Sequence, residues 1–317
     1  MLLYIASLLA GGLLLWKGAD WVVDSASAIA RRFGISELII GLTIVAMGTS
    51  LPEFLVTLTA TLKGIPSISF ANIVGSNIFN LGIILGAVAM INSVSGSKSL
   101  ITRDIPILLG VELFIRVVAS TGQLGRWSGI LLTAAFAGYL LWMYRQCKKP
   151  TSTDATAFCD ATSESEAASF KDYLLLPVGL IAVSFGSQFV VDGASGVARI
   201  FGLSEWLIGV TIVAAGTSLP ELVTCLSASV KGKNEMILGN LVGSDFFNFA
   251  GVLGLTSIIH PIAVKQGELL NMSMAVGVVI LLWVLIRTHG KITRNEGMLL
   301  FAVGIGRWGM EIWRAAM

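Results

Sequence analysis

Two acidic, hydroxyl-rich segments lie within apolar sequence. In the first, Thr49, Ser50 and Glu53 surround Pro52, and a helix would bring the two hydroxyls and the carboxylate onto one face. Because Pro52 has no backbone N–H, the carbonyl of Gly48 loses its helical partner. A carboxylate at membrane depth is costly, so Glu53 is a candidate functional residue. The segment offers a carboxylate, two hydroxyls and unpaired carbonyls on one surface.

The same set of residues recurs 168 positions later. Residues 41–53 and 209–221 agree at 11 of 13 positions, and the second copy contains Thr217, Ser218 and Glu221. Matches between residues 22 and 80 and their counterparts keep the same offset, which indicates an internal duplication. Two copies facing each other would form an all-oxygen cage with two carboxylates. Ca²⁺ prefers such a cage, and Na⁺ accepts similar ligands.

A polar stripe follows each of these segments and predicts a second wall for the cage. The stripes have the spacing i, i+4 and i+8 on otherwise apolar helices, and they consist of Asn72, Ser76 and Asn80 in one half and Asn240, Ser244 and Asn248 in the other. The asparagines are candidate neutral oxygen ligands. Transition metals favour His, Cys or Met, and the chain has only two histidines and no CxxC pair, which disfavours a zinc or iron site.

The composition is that of a membrane protein. The 317 residues are 55% hydrophobic and 13% charged, with a mean hydropathy of +0.84, whereas soluble domains carry roughly 25% charge. The net charge of +2 gives no indication of nucleic-acid binding. Apolar runs long enough to cross a bilayer predict an all-α membrane protein of ten helices, at 2–27, 36–61, 67–93, 105–121, 127–145, 172–195, 205–230, 236–260, 268–287 and 297–314.

The organisation predicted from these spans is two five-helix repeats of inverted topology, residues 1–146 and 172–317, joined by a flexible linker at 147–171. An odd number of spans per half makes the second copy enter the membrane from the opposite side. Loops after odd-numbered spans hold thirteen Lys and Arg residues, against five on the other side, which places the first set in the cytoplasm. Both termini are then expected outside, the linker in the cytoplasm, and the protein in the cell membrane. Inverted repeats are typical of secondary transporters.

Other charged residues have structural interpretations. Glu112 and Arg116 stand at i and i+4 in the fourth span and are expected to pair. Asp20 is expected to pair with Lys17 near the first span.

At these motifs the sequence resembles the calcium/cation antiporter superfamily, and its sodium/calcium exchanger branch in particular. The resemblance covers nearly the whole chain and implies ten helices, alternating access, and a calcium site flanked by sodium sites. It implies that Glu53 and Glu221 are acidic ligands, with further oxygens from Thr49, Ser50, Thr217, Ser218, Ser76, Ser244, Asn80 and Asn248 and from the backbone carbonyls of Ala46 and Ala214. The short linker suggests a minimal, microbial form.

One position departs from the family pattern. After Gly-Ser the first repeat has the usual Asn77, whereas the second has Asp245. Asp245 is a candidate third carboxylate of the cage, a candidate proton carrier, or a hydrogen-bonded support, and a protonated or supporting role is favoured. Asn77 is a possible accessory residue.

The predicted function is exchange of Ca²⁺ for Na⁺, with these ions as cargo, no cofactor, and the lipid bilayer as the partner; no obligate protein partner is evident. A proton/calcium antiporter is the nearest alternative, and a cation channel is a further one. An intramembrane enzyme is disfavoured because the chain lacks HExxH and any protease-like Ser/Lys or Asp/Asp arrangement.

Overall fold

The structure is a computed structural model that describes residues 1–64, 66–147 and 169–316. Within those residues the fold is almost entirely helical. The first half contains α1 (Leu2–Phe33), α2 (Glu37–Thr49), α3 (Leu51–Leu62), α4 (66–91), α5 (100–119) and α6 (Arg126–Cys147). The second half contains α7 (Phe170–Ile200), α8 (205–216), α9 (Leu219–Val230), α10 (Asn234–Ile259), α11 (Gln266–His289) and α12 (Arg294–Ala316). The predicted linker lies largely outside the described residues.

Short π-helical turns interrupt the helices that carry the polar motifs. They occupy Gly41–Val45 in α2, Phe79–Ile84 in α4, Gly209–Val213 in α8 and Phe247–Val252 in α10, and a fifth, Leu100–Asp104, opens α5. The first four form two pairs related by the 168-residue offset. A π-turn disturbs the regular carbonyl ladder and is frequent at functional sites.

The two acidic motifs lie at helix breaks. The chain leaves helical geometry at Ser50 (φ −84°, ψ 12°), where α2 and α3 meet at a 48° bend, and at Ser218 (φ −92°, ψ 10°), between α8 and α9. Pro52 and Pro220 stand in the first turn of the following helices, where the missing N–H costs no hydrogen bond. The predicted disturbance before each proline is confirmed, but 36–61 and 205–230 are each two helices rather than one.

Six helices in the described part of the chain are long and apolar enough to cross a membrane, or seven if α2 and α3 form one bent span. The six are α1, α4, α6, α7, α10 and α11. The chain is therefore a multi-pass membrane protein. The ten spans expected from the sequence exceed this number, because α5, α12 and the pair α8 and α9 do not meet the criteria of length and hydropathy together.

The two halves interlock. Strand β1 (Val94–Ser95) pairs with β4 (Lys291–Ile292), and β2 (Gln123–Leu124) pairs with β3 (Ile262–Ala263), both antiparallel. Adding 168 to the residue numbers of β1 and β2 gives those of β3 and β4, so the two strand pairs are equivalent under the repeat. Helices α1 and α7 also pack along each other, closely enough that a Cβ on Gly11 would lie 2.7 Å from the Gly186 carbonyl oxygen.

Both expected ion pairs are wrong. Glu112 is fully buried, and its carboxylate has no hydrogen-bond partner among the described residues. Arg116 instead donates from Nε to the Ser273 hydroxyl of α11, 2.7 Å away. Asp20 contacts Lys231 of the second half rather than Lys17, whose ammonium lies over the Trp16 ring. In each case a contact between distant segments replaces the local pair.

Candidate functional site

Two buried carboxylates lie at the centre of the molecule. Glu53 and Glu221 occupy the first turns of α3 and α9, and neither is exposed. The N-terminal end of a helix favours negative charge, which offsets part of the cost of burying each carboxylate. Each lies within hydrogen-bonding distance of the serine three residues before the other. The repeated motifs, distant in sequence, therefore meet in the structure.

Each carboxylate accepts a hydrogen bond from the helix break of the opposite half. The Ser50 hydroxyl donates to Glu221 Oε1 at 2.7 Å, and the Ser218 hydroxyl donates to Glu53 Oε1 at 3.0 Å. The second carboxylate oxygen of both residues is buried and has no donor in the described structure. Each break thus orients one oxygen of the facing carboxylate and leaves the other available.

The predicted threonines and alanine carbonyls lie beside the breaks. Thr49 Oγ1 donates towards Asn240 Oδ1 at 3.1 Å and lies 3.3 Å from the Ala46 carbonyl oxygen, which also accepts from Ser244 at 3.4 Å. In the second half, Thr217 Oγ1 lies 3.4 Å from the Ala214 carbonyl oxygen.

The polar stripes of α4 and α10 form the opposite wall. Asn80 donates from Nδ2 to Asp245 Oδ1 at 3.0 Å, and Asn248 donates from Nδ2 to Asn77 Oδ1 at 3.0 Å and towards Ser76 at 3.5 Å. The Oδ1 atoms of Asn80 and Asn248 are buried and have no donor among the described residues. The π-turns bearing these asparagines pack on the helices bearing Glu221 and Glu53, respectively.

The centre therefore holds unpartnered acceptor oxygens. Four of them come from predicted site residues, namely Glu53, Glu221, Asn80 and Asn248. Within the described ranges no three His, Cys, Asp or Glu side chains cluster as a metal site, so a cation here would be bound by two carboxylates and neutral oxygens. Hard cations such as Ca²⁺ and Na⁺ suit such ligands.

The two halves are unequal around this centre. A Cβ on Gly41 of α2 would lie 3.1 Å from the Met236 carbonyl oxygen of α10, whereas one on the equivalent Gly209 of α8 would meet nothing within 4 Å. Thr49 is buried, but Thr217 is partly accessible. The first half of the site is closed by α10, whereas the equivalent face of α8 at Gly209 is open.

Nearly all the residues predicted from the sequence meet at this centre, with Ala214 and Thr217 on its accessible side. The partnership of Thr49 with Asn240 was missed, although Asn240 belongs to the polar stripe that the spacing identified. The contacts of Lys231 with α1 were also missed, and no local signal in the sequence indicates them.

Comparisons with known proteins agree with this arrangement. The family model described as sodium/calcium exchanger protein matches residues 3–145 and 171–304. The inner membrane protein YrbG of Escherichia coli K12 is 37% identical over 264 residues, covering 82% of this chain and 81% of the relative. The sodium/calcium exchanger MaX1 of Methanosarcina acetivorans is 30% identical over 328 residues, covering 92% and 94%.

A solved structure of the sodium-calcium exchanger NCX_Mj, soaked with Na⁺ and Sr²⁺, superposes with a TM-score of 0.83 at 32% identity and covers 96% of this chain and 97% of that one. The similarity extends over both halves and over the whole helical arrangement. The chain belongs to the sodium/calcium exchanger protein family.

Proposed function

We propose that the protein exchanges Ca²⁺ for Na⁺ across the cell membrane by alternating access, with both ions bound in turn at the central all-oxygen site. The observation that carries the proposal is the pair of buried carboxylates, Glu53 and Glu221, each with one oxygen held by the opposite half and one oxygen unpartnered. The choice of ions is supported by MaX1 and NCX_Mj, which are both named as sodium/calcium exchangers.

The ligands in this proposal are the carboxylates of Glu53 and Glu221, with oxygens from the ten other site residues predicted from the sequence. The amide oxygens of Asn80 and Asn248 are the strongest neutral candidates, because they are buried and unpartnered. Thr217 and Ala214 lie at the accessible edge and would be the first ligands that an entering cation meets.

Exchange rather than leakage follows from the electrostatics of the site. An empty cage would carry two uncompensated carboxylates in a low-dielectric environment, which costs several kcal/mol per ion. Two positive charges, as one Ca²⁺ or two Na⁺, would remove that cost. The site would therefore switch sides readily only when it is loaded, and each switch would carry an ion.

The topology in this proposal is ten spans in two inverted halves, 1–146 and 172–317. The repeat of helix bounds at the 168-residue offset supports it, since the breaks, four π-turns and all four strands recur at that spacing. By the distribution of Lys and Arg, the open face of α8 at Gly209 would lie towards the outside, and the contact between α2 and α10 would close the cytoplasmic side.

The test is uptake of labelled Ca²⁺ into proteoliposomes, driven by an outward Na⁺ gradient or by an equal outward proton gradient. We expect uptake with Na⁺, and its loss in Glu53→Gln and Glu221→Gln. A matched control is Glu268→Gln, which removes a carboxylate that caps the start of α11. Uptake with protons alone would replace this function by proton/calcium antiport, and uptake that needs no counter-ion gradient would indicate a channel.

A further inference from the structure

Asp245 is the one position where the second repeat departs from the first at the site. It follows Ser244, it is fully buried, and its equivalent 168 residues earlier is Asn77. Its carboxylate contacts none of the four hydroxyls at the helix breaks. Its contacts are with two asparagines of α4, and these contacts determine its role.

The carboxylate of Asp245 fixes the orientation of Asn80. Asp245 Oδ1 lies 3.0 Å from Asn80 Nδ2. An amide presents either its NH₂ or its oxygen to a neighbour, and a carboxylate oxygen accepts a hydrogen bond only from the NH₂. Asn80 therefore turns its NH₂ towards Asp245, which leaves Asn80 Oδ1 buried and without a donor.

The backbone of Asp245 fixes the second amide through Asn77. The Asp245 carbonyl oxygen accepts from Asn77 Nδ2 at 3.1 Å, so Asn77 must present Oδ1 on its other side. That oxygen accepts from Asn248 Nδ2 at 3.0 Å, and Asn248 Oδ1 is consequently the atom left without a donor. The Asp245 side chain thus orients Asn80, and the backbone carbonyl of the same residue orients Asn248 through Asn77.

We propose that Asp245 is a positioning residue that turns the carbonyl oxygens of Asn80 and Asn248 towards the transported cation, rather than a third carboxylate ligand. The inference rests on the proposed function, because it assumes that these oxygens bind a cation. Without the Asp245 carboxylate, the Asn80 amide would present NH₂ to the cation for part of the time, and the positive end of the amide would oppose binding.

The test compares Asp245→Ala with Asp245→Asn by titrating purified protein in detergent with Ca²⁺ in Na⁺-free buffer. Alanine removes the acceptor, and we expect the affinity for Ca²⁺ to fall about tenfold, the factor associated with a hydrogen bond to a charged group. Asparagine keeps an acceptor oxygen within reach of Asn80, so the fall should stay within about threefold. An equal loss in both variants would mean that the charge itself is required, and would overturn the proposal.

A second variant separates positioning from a general structural role. In Asp245→Ala combined with Asn80→Asp, the new carboxylate at position 80 offers an oxygen to the cation in either orientation, and the total charge equals that of the wild type. We expect this double variant to recover most of the lost affinity, whereas damage to packing would not be repaired by it. Wild-type affinity in Asp245→Ala, or no recovery in the double variant, would refute positioning. Absence of Ca²⁺ binding by the wild type would instead refute the proposed function.

Discussion

Lys231 ties α1 to the end of α9 on one side of the molecule only. Its Nζ lies 2.8 Å from Asp24 Oδ1 and 3.2 Å from Asp20 Oδ1, and the Ser227 hydroxyl donates to the same Asp20 oxygen at 2.8 Å. In the topology proposed above, this contact lies on the cytoplasmic side. It holds the two helices together in the conformation in which that side is closed.

The opposite half carries equivalent residues, but the contact is not made. The counterparts at the 168-residue offset are Lys63, Thr59, Gln188 and Asp192. None of the ion pairs among the described residues includes Lys63, and Gln188 Nε2 instead donates to Asp192 Oδ1 at 2.9 Å on its own helix. If α1 and α7 move during exchange, the Lys231 contact should break as a Lys63 contact forms.

The ion pairs of Lys231 contribute only a small free energy to the closed conformation. The side chains of Lys231, Asp20 and Asp24 are 27%, 30% and 66% exposed, and exposed pairs contribute about 0.2–1 kcal/mol each. Two pairs therefore favour the closed cytoplasmic side by about 1 kcal/mol, since the more exposed pair contributes the smaller share. Removing them in Lys231→Ala should raise the population open to the cytoplasm about fivefold.

Cys225 provides the assay. It is fully buried in α9, where Asn240 Nδ2 lies 3.6 Å from its sulfur, and Asn240 in turn contacts Thr49 across the closed side. With Cys147 and Cys159 replaced by serine, the rate at which a membrane-permeant thiol reagent modifies Cys225 should follow the open population. We expect Lys231→Ala to increase this rate about fivefold at low salt and less at high salt, because salt screens exposed charges.

Lys63→Ala is the matched control. It removes the equivalent lysine, which makes no ion pair in this conformation, so the Cys225 rate should not rise. If the contact forms in the opposite state, the rate should fall slightly. Equal acceleration by both variants would show that the effect is general loosening, and no acceleration by Lys231→Ala would refute the reasoning.

Two further predictions use the same structure. A Cβ on Gly243 would lie 2.7 Å from the Leu42 backbone, whereas one on the equivalent Gly75 would meet only the Arg307 guanidinium at 3.6 Å. Gly243→Ala should therefore weaken the closed cytoplasmic side by about 1–3 kcal/mol and accelerate Cys225 modification, while Gly75→Ala should not. Equal modification rates in the two variants would contradict this prediction. Glu112→Leu replaces a buried carboxyl that has no partner in the described structure. The thermal midpoint of unfolding in detergent should therefore rise by an amount corresponding to about 1–3 kcal/mol, and Na⁺-driven uptake should be retained. Loss of uptake would instead assign Glu112 a role in transport.

The internal repeat explains why so much of the site could be predicted. Two motifs with a constant offset meet if the halves are related by a two-fold axis that passes close to them, and such an axis would bring Glu53 and Glu221 together without any knowledge of loops. The helix breaks were partly foreseen, because proline disturbs the turn before it. Hydropathy nevertheless predicts continuous spans at 36–61 and 205–230, since it does not register a change of direction at Ser50 or Ser218.

Features that depend on contacts between distant segments could not be predicted. The spacing of Glu112 and Arg116 suggested a local pair, but Arg116 contacts Ser273 on another helix. The sequence leaves three possible roles for Asp245, because the choice depends on which atoms of Asn77 and Asn80 face it. The inequality of the halves could not be predicted either, since the repeat encodes similar residues on both sides, apart from substitutions such as Asp20 to Gln188, and the conformation determines which contacts form.

The division between shared and alternating contacts bears on how such a molecule can work. The bonds from Ser50 to Glu221 and from Ser218 to Glu53 are equivalent under the repeat, and both are made in this conformation. The contact of Thr49 with Asn240 and the ion pairs of Lys231 are made in one half only. Because the two Lys231 pairs together contribute about 1 kcal/mol, they close their side only weakly. A cation that neutralises the two carboxylates contributes several kcal/mol, so its presence at the site, rather than the peripheral contacts, would determine when the molecule switches.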